Sequence, residues 1–254
     1  MKDIKVTVAT VVFNGAATLT ETIESVVRQS YSNIEYVIVD GASTDNTLEI
    51  INQFSSKYHF IKVKSERDKG IYDAMNKAQK MATGDFLIFL GSDDTLYNDN
   101  VIEEFVKCVT DTNCVYYGDV LAKDTKELWF GSFTTEKLIM QNISHQAIFY
   151  PRNVYKNFIY SLKYKMFADW DYNIRVWSQY GSFKRIELII TLFAQTGSSY
   201  HNPDRVFLKD RPKLVNQYFG KKYSWLLKMQ KIKQLLVGKT DMRKIKGFMF
   251  YKLR

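Results

Sequence analysis

Apolar residues in the first half of the chain follow two alternating rhythms. Ile4 to Val12, Ile34 to Val39, Phe60 to Val63, Phe86 to Leu90 and Cys114 to Leu121 are short runs rich in β-branched and aromatic side chains. Such runs read as strands buried on both faces. Between them come Leu19, Ile23, Val26 and Val27, then Leu48, Ile51 and Phe54. Ile71, Met75 and Ala78 follow, then Val101, Ile102, Phe105 and Val109, all at the spacing of one helix face. Thr18-x-x-Glu21 is a capping-box pattern and Ser43-Thr44-Asp45 supplies N-cap residues, so helices are expected to open there. Strands alternating with helices of about three turns imply an α/β fold with a mostly parallel central sheet and helices on both faces.

In an open sheet of this kind, ligands bind at the carboxyl ends of the strands. Asp40 ends the second strand, and Asp93 and Asp94 follow the fourth, so all three are expected along one edge. Taken alone, Ser92-Asp-Asp-Thr95 is equally good turn and N-cap chemistry. The shared edge is what points to a ligand. A dinucleotide fingerprint or a P-loop would place several glycines after the first strand, whereas that position reads Asn14-Gly15-Ala16-Ala17-Thr18-Leu19. A diphosphate here would need another source of positive charge, and carboxylates holding Mg²⁺ or Mn²⁺ supply one. Asp40-Gly-Ala-Ser-Thr-Asp45 lacks the ligand order and central glycine of a calcium loop.

The net charge of +9 hides a split. Residues 205–254 hold 15 Lys/Arg against 2 Asp/Glu, whereas residues 1–204 hold 21 against 25. A basic tail suits a polyanionic surface. Within it, Trp225, Met229, Ile232 and Leu236 form one apolar face of a lysine-rich helix from Lys221 to Val237. That is the pattern of a helix lying on an anionic membrane; a helix packed on the domain is the alternative. Arg243-Lys-Ile-Lys-Gly-Phe-Met-Phe-Tyr251 repeats the theme. A nucleic-acid arm would interleave its aromatics for stacking, so no nucleic acid is expected. The chain thus divides into residues 1–205 and a basic amphipathic segment, 206–254. No run reaches the roughly 18 apolar residues of a membrane span. Val6 to Phe13 leads straight into a patterned helix and reads as a first strand, not an export signal. Cys108 and Cys114, the only 2 cysteines, have no partners for a zinc site and read as reduced thiols of a cytoplasmic protein.

Val8-Ala-Thr-Val-Val-Phe-Asn-Gly15, Ile38-Val-Asp-Gly-Ala-Ser-Thr-Asp-Asn-Thr47 and Phe89-Leu-Gly-Ser-Asp-Asp94, in this order, resemble the family 2 glycosyltransferases. Ser65-Glu-Arg-Asp-Lys-Gly-Ile-Tyr-Asp-Ala-Met-Asn-Lys77 resembles the subgroup that builds bacterial O-antigens and other surface polysaccharides. The likeness covers residues 4–200. It implies a GT-A fold, a nucleotide-diphospho-sugar donor (a UDP-sugar foremost), Mg²⁺ or Mn²⁺, and an inverting transfer. A lipid-linked saccharide acceptor would explain the basic tail and place the protein peripherally on the inner face of the cell membrane.

Carried over by position, the resemblance places Phe13 beside the donor's base and Asp40 at the base or ribose. Asp93 and Asp94 take the D-x-D role at ribose and metal, with Arg67 and Asp68 reaching the donor. Gly41 stands where many relatives have a second acidic residue, and Gly91 where many begin the D-x-D element, which leaves the metal to rely on Asp94. In Phe167-Ala-Asp-Trp-Asp-Tyr-Asn-Ile-Arg175, pattern alone makes Asp169 a helix N-cap and Trp170, Ile174 and Trp177 a buried stripe. The resemblance implies instead that Asp169 is the general base an inverting transfer requires. Asp171 then supports the helix start or the acceptor. His145, in a His-Gln pair shared by the subgroup, is placed on the acceptor side, and Gly197-Ser-Ser199 in a loop at the diphosphate. A sugar nucleotidyltransferase would carry a glycine-rich, Arg/Lys-bearing signature near its start, absent here. A non-catalytic basic membrane- or nucleic-acid-binding module leaves the aspartate pattern unexplained.

Overall fold

The computed structural model describes residues 3–129, 131–181, 183–194 and 204–236, with backbone alone over 230–236. Four strands lie parallel in the order β3 (Ile61–Ser65), β2 (Ile34–Asp40), β1 (Val6–Val12) and β4 (Phe86–Phe89). Helices α1 (Leu19–Val27), α2 (Thr47–Lys57) and α3 (Ile71–Met81) make the crossovers. Alternate residues of one strand feed two cores, as a pleated strand requires. Ala9, Val37, Val39, Leu87 and Phe89 pack with Met75 and Ala78 of α3. Val8, Ile38 and Ile88 pack on the other face with Ile23, Val26 and Ile51.

The second half widens the sheet. After β5 (Thr95–Leu96) come α4 (Val101–Cys108), β6 (Tyr116–Ala122), β7 (Leu128–Trp129) and α5 (Thr135–Met140). A 3₁₀ turn at His145–Ala147 leads into β8 (Ile148–Pro151), α6 (Arg152–Tyr155), α7 (Ala168–Tyr180) and β9 (Lys184–Phe193). Strand β8 runs antiparallel to both β4 and β6, and β9 is parallel to β6. The sheet is therefore mixed beyond β4. The short apolar run Ala147 to Tyr150 carried no information about strand direction.

Three local expectations change. Thr18 does precede α1, but its hydroxyl donates to the Ser92 carbonyl (2.8 Å) instead of capping the helix. Helix α8 (Arg205–Phe219) buries Phe207 in the core, so packing continues across the boundary expected at 205. Helix α9 (Lys221–Leu236) docks through Leu227 onto Ile139 and Val215, with Tyr223 and Phe219 alongside. Trp225 and Met229, members of the expected membrane face, are 58% and 42% exposed. The packed helix and the outward apolar face thus coexist, on different sides of one helix. The side chains of Ile232 and Leu236, and all of Gly197–Ser199 and residues 237–254, lie outside the described residues.

Candidate active site

The carboxyl edge of the parallel strands gathers the expected residues into two groups, with a third across from them. At the first, Asn14 takes a left-handed conformation (φ 52°), tolerable for asparagine. Its Oδ1 accepts from Thr44 N (2.8 Å) and its N donates to Ser43 Oγ (2.8 Å), joining the loops after β1 and β2. Phe13 stands exposed above this junction. Asp40 ends β2 beside this junction. It is fully buried, with Oδ2 accepting from Ser65 Oγ (2.6 Å) and Oδ1 from Ser43, so it fixes its own loop. A Cβ on Gly41 would meet Asp68 Oδ2 at 2.7 Å and the Phe13 ring at 3.3 Å. Asp68 thus brings a carboxylate from the loop after β3 to the space beside Gly41. Asp68 is held by Gly70 N (2.9 Å) on its other oxygen. Arg67 is exposed, and its carbonyl accepts from Lys77.

The second group is Asp93 and Asp94. Asp94 is buried; Oδ1 accepts from Ala194 N (2.8 Å) and Oδ2 from Gln146 Nε2 (3.1 Å). Burial, and then the neighbouring Asp93 charge, push its pKa up to about 7, against the pull of Ala194 N, His145 and Lys123. Lys123, at the end of β6, donates to the Asp93 carbonyl (2.7 Å). Both carboxylates fold back over Gly91, where a Cβ would meet Asp94 Oδ2 at 2.6 Å and Asp93 Oδ1 at 3.1 Å. A side chain at position 91 would therefore require these two carboxylates to shift. Two adjacent carboxylates, one raised toward neutrality, form a donor set that fits a hard divalent cation. Among the described residues no cluster of three His, Cys, Asp or Glu side chains supplements the pair.

Asp169 forms the third group. Helix α7 begins at Ala168, so Asp169 is within the first turn and is not the N-cap. Its Oδ2 accepts from Asn142 Nδ2 (2.8 Å) and faces His145 Nδ1 (3.4 Å). Its Oδ1 accepts from Trp170 N (2.9 Å) and lies 3.1 Å from Tyr72 Oη. His145 and Gln146 are consecutive, and they join the groups: one side chain lies on Asp169, the other on Asp94. Asp171 stands apart from this constellation. It is buried and paired with Arg175 Nε (2.9 Å), whose Nη2 holds the Ile159 carbonyl (2.7 Å), so it braces α7.

Comparison with known proteins identifies the family. The profile for glycosyl transferase family 2 matches residues 7–168. A Mycobacterium tuberculosis "PGL/p-HBAD biosynthesis glycosyltransferase" is 36% identical over 206 residues, covering 78% of this chain and 80% of that protein. The chain belongs to glycosyl transferase family 2. An Escherichia coli family relative, "UDP-Glc:alpha-D-GlcNAc-diphosphoundecaprenol beta-1,3-glucosyltransferase WfaP", is 42% identical over 82 residues, 32% of each protein. The Staphylococcus aureus TarS 1–349 structure with UDP-GlcNAc superposes with a TM-score of 0.71 at 17% identity, over 86% of this chain and 68% of that one. The fold is accordingly GT-A.

Sequence reasoning missed Tyr72 and Asn142 as partners of Asp169 and Gln146 as the partner of Asp94. Tyr72 and Asn76 lie one helical turn apart in the Ser65–Lys77 motif. Both meet the segment between α6 and α7: Tyr72 Oη donates to the Met166 carbonyl (2.7 Å), and Asn76 clamps the Tyr160 backbone at 2.9 and 2.8 Å. The i, i+4 pair was visible in the sequence; its distant partners were not.

Proposed function

We propose that this family 2 enzyme transfers a hexosyl or N-acetylhexosaminyl group, with inversion, from a UDP-sugar to a lipid-linked saccharide in bacterial surface-polysaccharide synthesis. The observation that carries the reading is the His145–Gln146 bridge, which sets a buried carboxylate across from a carboxylate pair at the sheet edge. Phe13 and Asp68, closing over Gly41, receive the donor's base, and the loop fixed by Asp40 shapes that pocket. Asp93 and Asp94 would hold Mg²⁺ or Mn²⁺, which supplies positive charge to the departing diphosphate. Asp169 takes the acceptor hydroxyl's proton as that oxygen bonds to the anomeric carbon. The bond from that carbon to the diphosphate breaks, and its electron pair leaves with the nucleoside diphosphate. His145 and Asn142 hold the base carboxylate on the acceptor side.

Two relatives support the substrate classes. WfaP's name carries both a UDP-sugar and a diphosphoundecaprenol acceptor, and TarS was solved with UDP-GlcNAc. The outward Trp225–Met229 face on a basic helix supports peripheral contact with an anionic membrane. No helix among the described residues is long and apolar enough to cross one. Calorimetry and hydrolysis assays with UDP-, GDP- and dTDP-sugars, with and without Mn²⁺, test the donor reading. Metal-dependent binding of a UDP-sugar is expected; no metal-dependent binding across the panel overturns it. Trp225→Glu with Met229→Glu should cut sedimentation with phosphatidylglycerol vesicles, and unchanged sedimentation assigns α9 to packing alone.

A further inference from the structure

We propose that Trp129 and Phe193 form an aromatic platform that receives the hexosyl ring of the sugar-nucleotide donor. This rests on the reading of Asp93 and Asp94 as the diphosphate and metal site.

Strand β8 runs antiparallel to β4, and β6 antiparallel to β8, so β6 and its parallel neighbour β9 point the same way as β1, β2 and β4. Their carboxyl ends, Ala122 and Phe193, therefore reach the edge that carries Asp40, Asp93 and Asp94. Register then sets the aromatic pair. Val120 lies opposite Trp129 of β7, and Ala122 opposite Phe193 of β9. Val120 and Ala122 are two residues apart, so their partners stand on one face of the sheet. The two rings come from strands on either side of β6 and meet with centroids 5.3 Å apart, tilted by 50°. Val120 and Ala122 are buried, whereas both rings stay partly exposed.

The platform is tied to the carboxylate pair on both sides. Ala194, the residue after Phe193, donates its N–H to Asp94 Oδ1 (2.8 Å). Lys123, the residue after Ala122, donates from N to the Phe193 carbonyl (2.8 Å) and from Nζ to the Asp93 carbonyl (2.7 Å). The other oxygen of Asp94 accepts from Gln146, whose neighbour His145 lies on Asp169. Asp94 thus meets the platform's strand through Oδ1 and the general-base side through Oδ2. An inverting transfer brings the acceptor in on the base's side, which leaves the platform to the donor. Along the edge, Phe13 follows β1, the carboxylates follow β4, and the rings lie on β6, β7 and β9. That is the order of base, diphosphate and hexose in a sugar nucleotide.

The chemistry suits a sugar. A hexopyranose carries hydroxyls around its rim and C–H bonds on its faces. Each ring carbon bears an oxygen, so these hydrogens are slightly positive and are drawn to the negative face of an aromatic ring. An axial hydroxyl lifts the sugar off such a face, which makes the pair a device for choosing among hexoses. A nucleobase would also stack, but its place at Phe13 is three strands away in the sheet.

Calorimetry with Mn²⁺ compares UDP with UDP-glucose, UDP-galactose and UDP-N-acetylglucosamine. In Trp129→Ala and in Phe193→Ala, affinity for the UDP-sugar that binds should fall about 5- to 10-fold, with UDP within about twofold of wild type. Retained UDP binding also shows that the variants are folded. In the otherwise unchanged chain labelled with 5-fluorotryptophan, the Trp129 resonance is assigned by its loss in Trp129→Phe. Adding the UDP-sugar should move it to a position that UDP does not reach. A UDP-sugar affinity unchanged in both alanine variants, or lost in step with UDP, overturns the platform. So does a Trp129 signal that UDP and the UDP-sugar move alike. Binding of none of the three UDP-sugars to the wild-type protein would instead remove the UDP-donor reading, and the platform with it.

Discussion

Two buried carboxylates at opposite edges of the same parallel sheet are treated in opposite ways. Glu35, at the amino end of β2, accepts from Thr83 N, Thr83 Oγ1 and Thr7 Oγ1, each at 2.7 Å, and from Lys62, with Lys5 at 3.4 Å. Burial pushes its pKa up, but Lys62 and then the Thr83 and Thr7 donors outweigh that and hold it at about 2. Asp94, at the carboxyl edge, has two neutral donors, an acidic neighbour and no ion pair among the described residues. Its pKa stands near 7. Glu35 is neutralised from within by the fold, whereas Asp94 has no such partner, which is what the proposed metal role would require. The buried and unpartnered Gln146 Oε1 adds to this unfinished character.

The comparison breaks first at the chemistry. Asp169→Asn and Asp94→Ala are expected to cut transfer by roughly 10²–10⁴-fold with melting temperatures near wild type. In a calorimeter, Asp169→Asn should keep donor binding and Asp94→Ala should lose its metal dependence. Glu35→Ala should do the reverse, costing about 3 kcal/mol of stability in urea unfolding, with turnover intact below its lowered melting point.

Proton linkage sharpens the contrast. Glu35's depressed pKa adds stability that is complete above about pH 4.5 and is lost as pH falls toward 2. Asp94's raised pKa adds stability that is complete below about pH 4 and is lost as pH rises through 7. Metal-free Asp94→Asn should therefore unfold later than wild type at pH 8, by on the order of 2 kcal/mol, with no gain at pH 4. The smallest effect belongs to Ala42, left-handed at φ 61° in the loop after β2. Ala42→Gly should gain roughly 0.5 kcal/mol, strain relief outweighing added chain entropy.

The sequence by itself determined the parallel half of the sheet, because hydrophobic period and turn chemistry are local properties. It also determined the placement of Asp40, Asp93 and Asp94 at strand ends, since strand boundaries set that. The His-Gln pair and Asp169 were visible as residues through family resemblance. Only the tertiary structure decided what each carboxylate faces. It turned Asp40 into its own loop, brought Asp68 against Gly41, folded Asp93 and Asp94 over Gly91, and gave Asp171 to Arg175. It also carried Tyr72 across 97 residues of chain to Asp169. The physical reason is range: periodicity is read within a few residues, whereas the charge and proton state of a buried carboxylate depend on groups that meet only when the chain has folded.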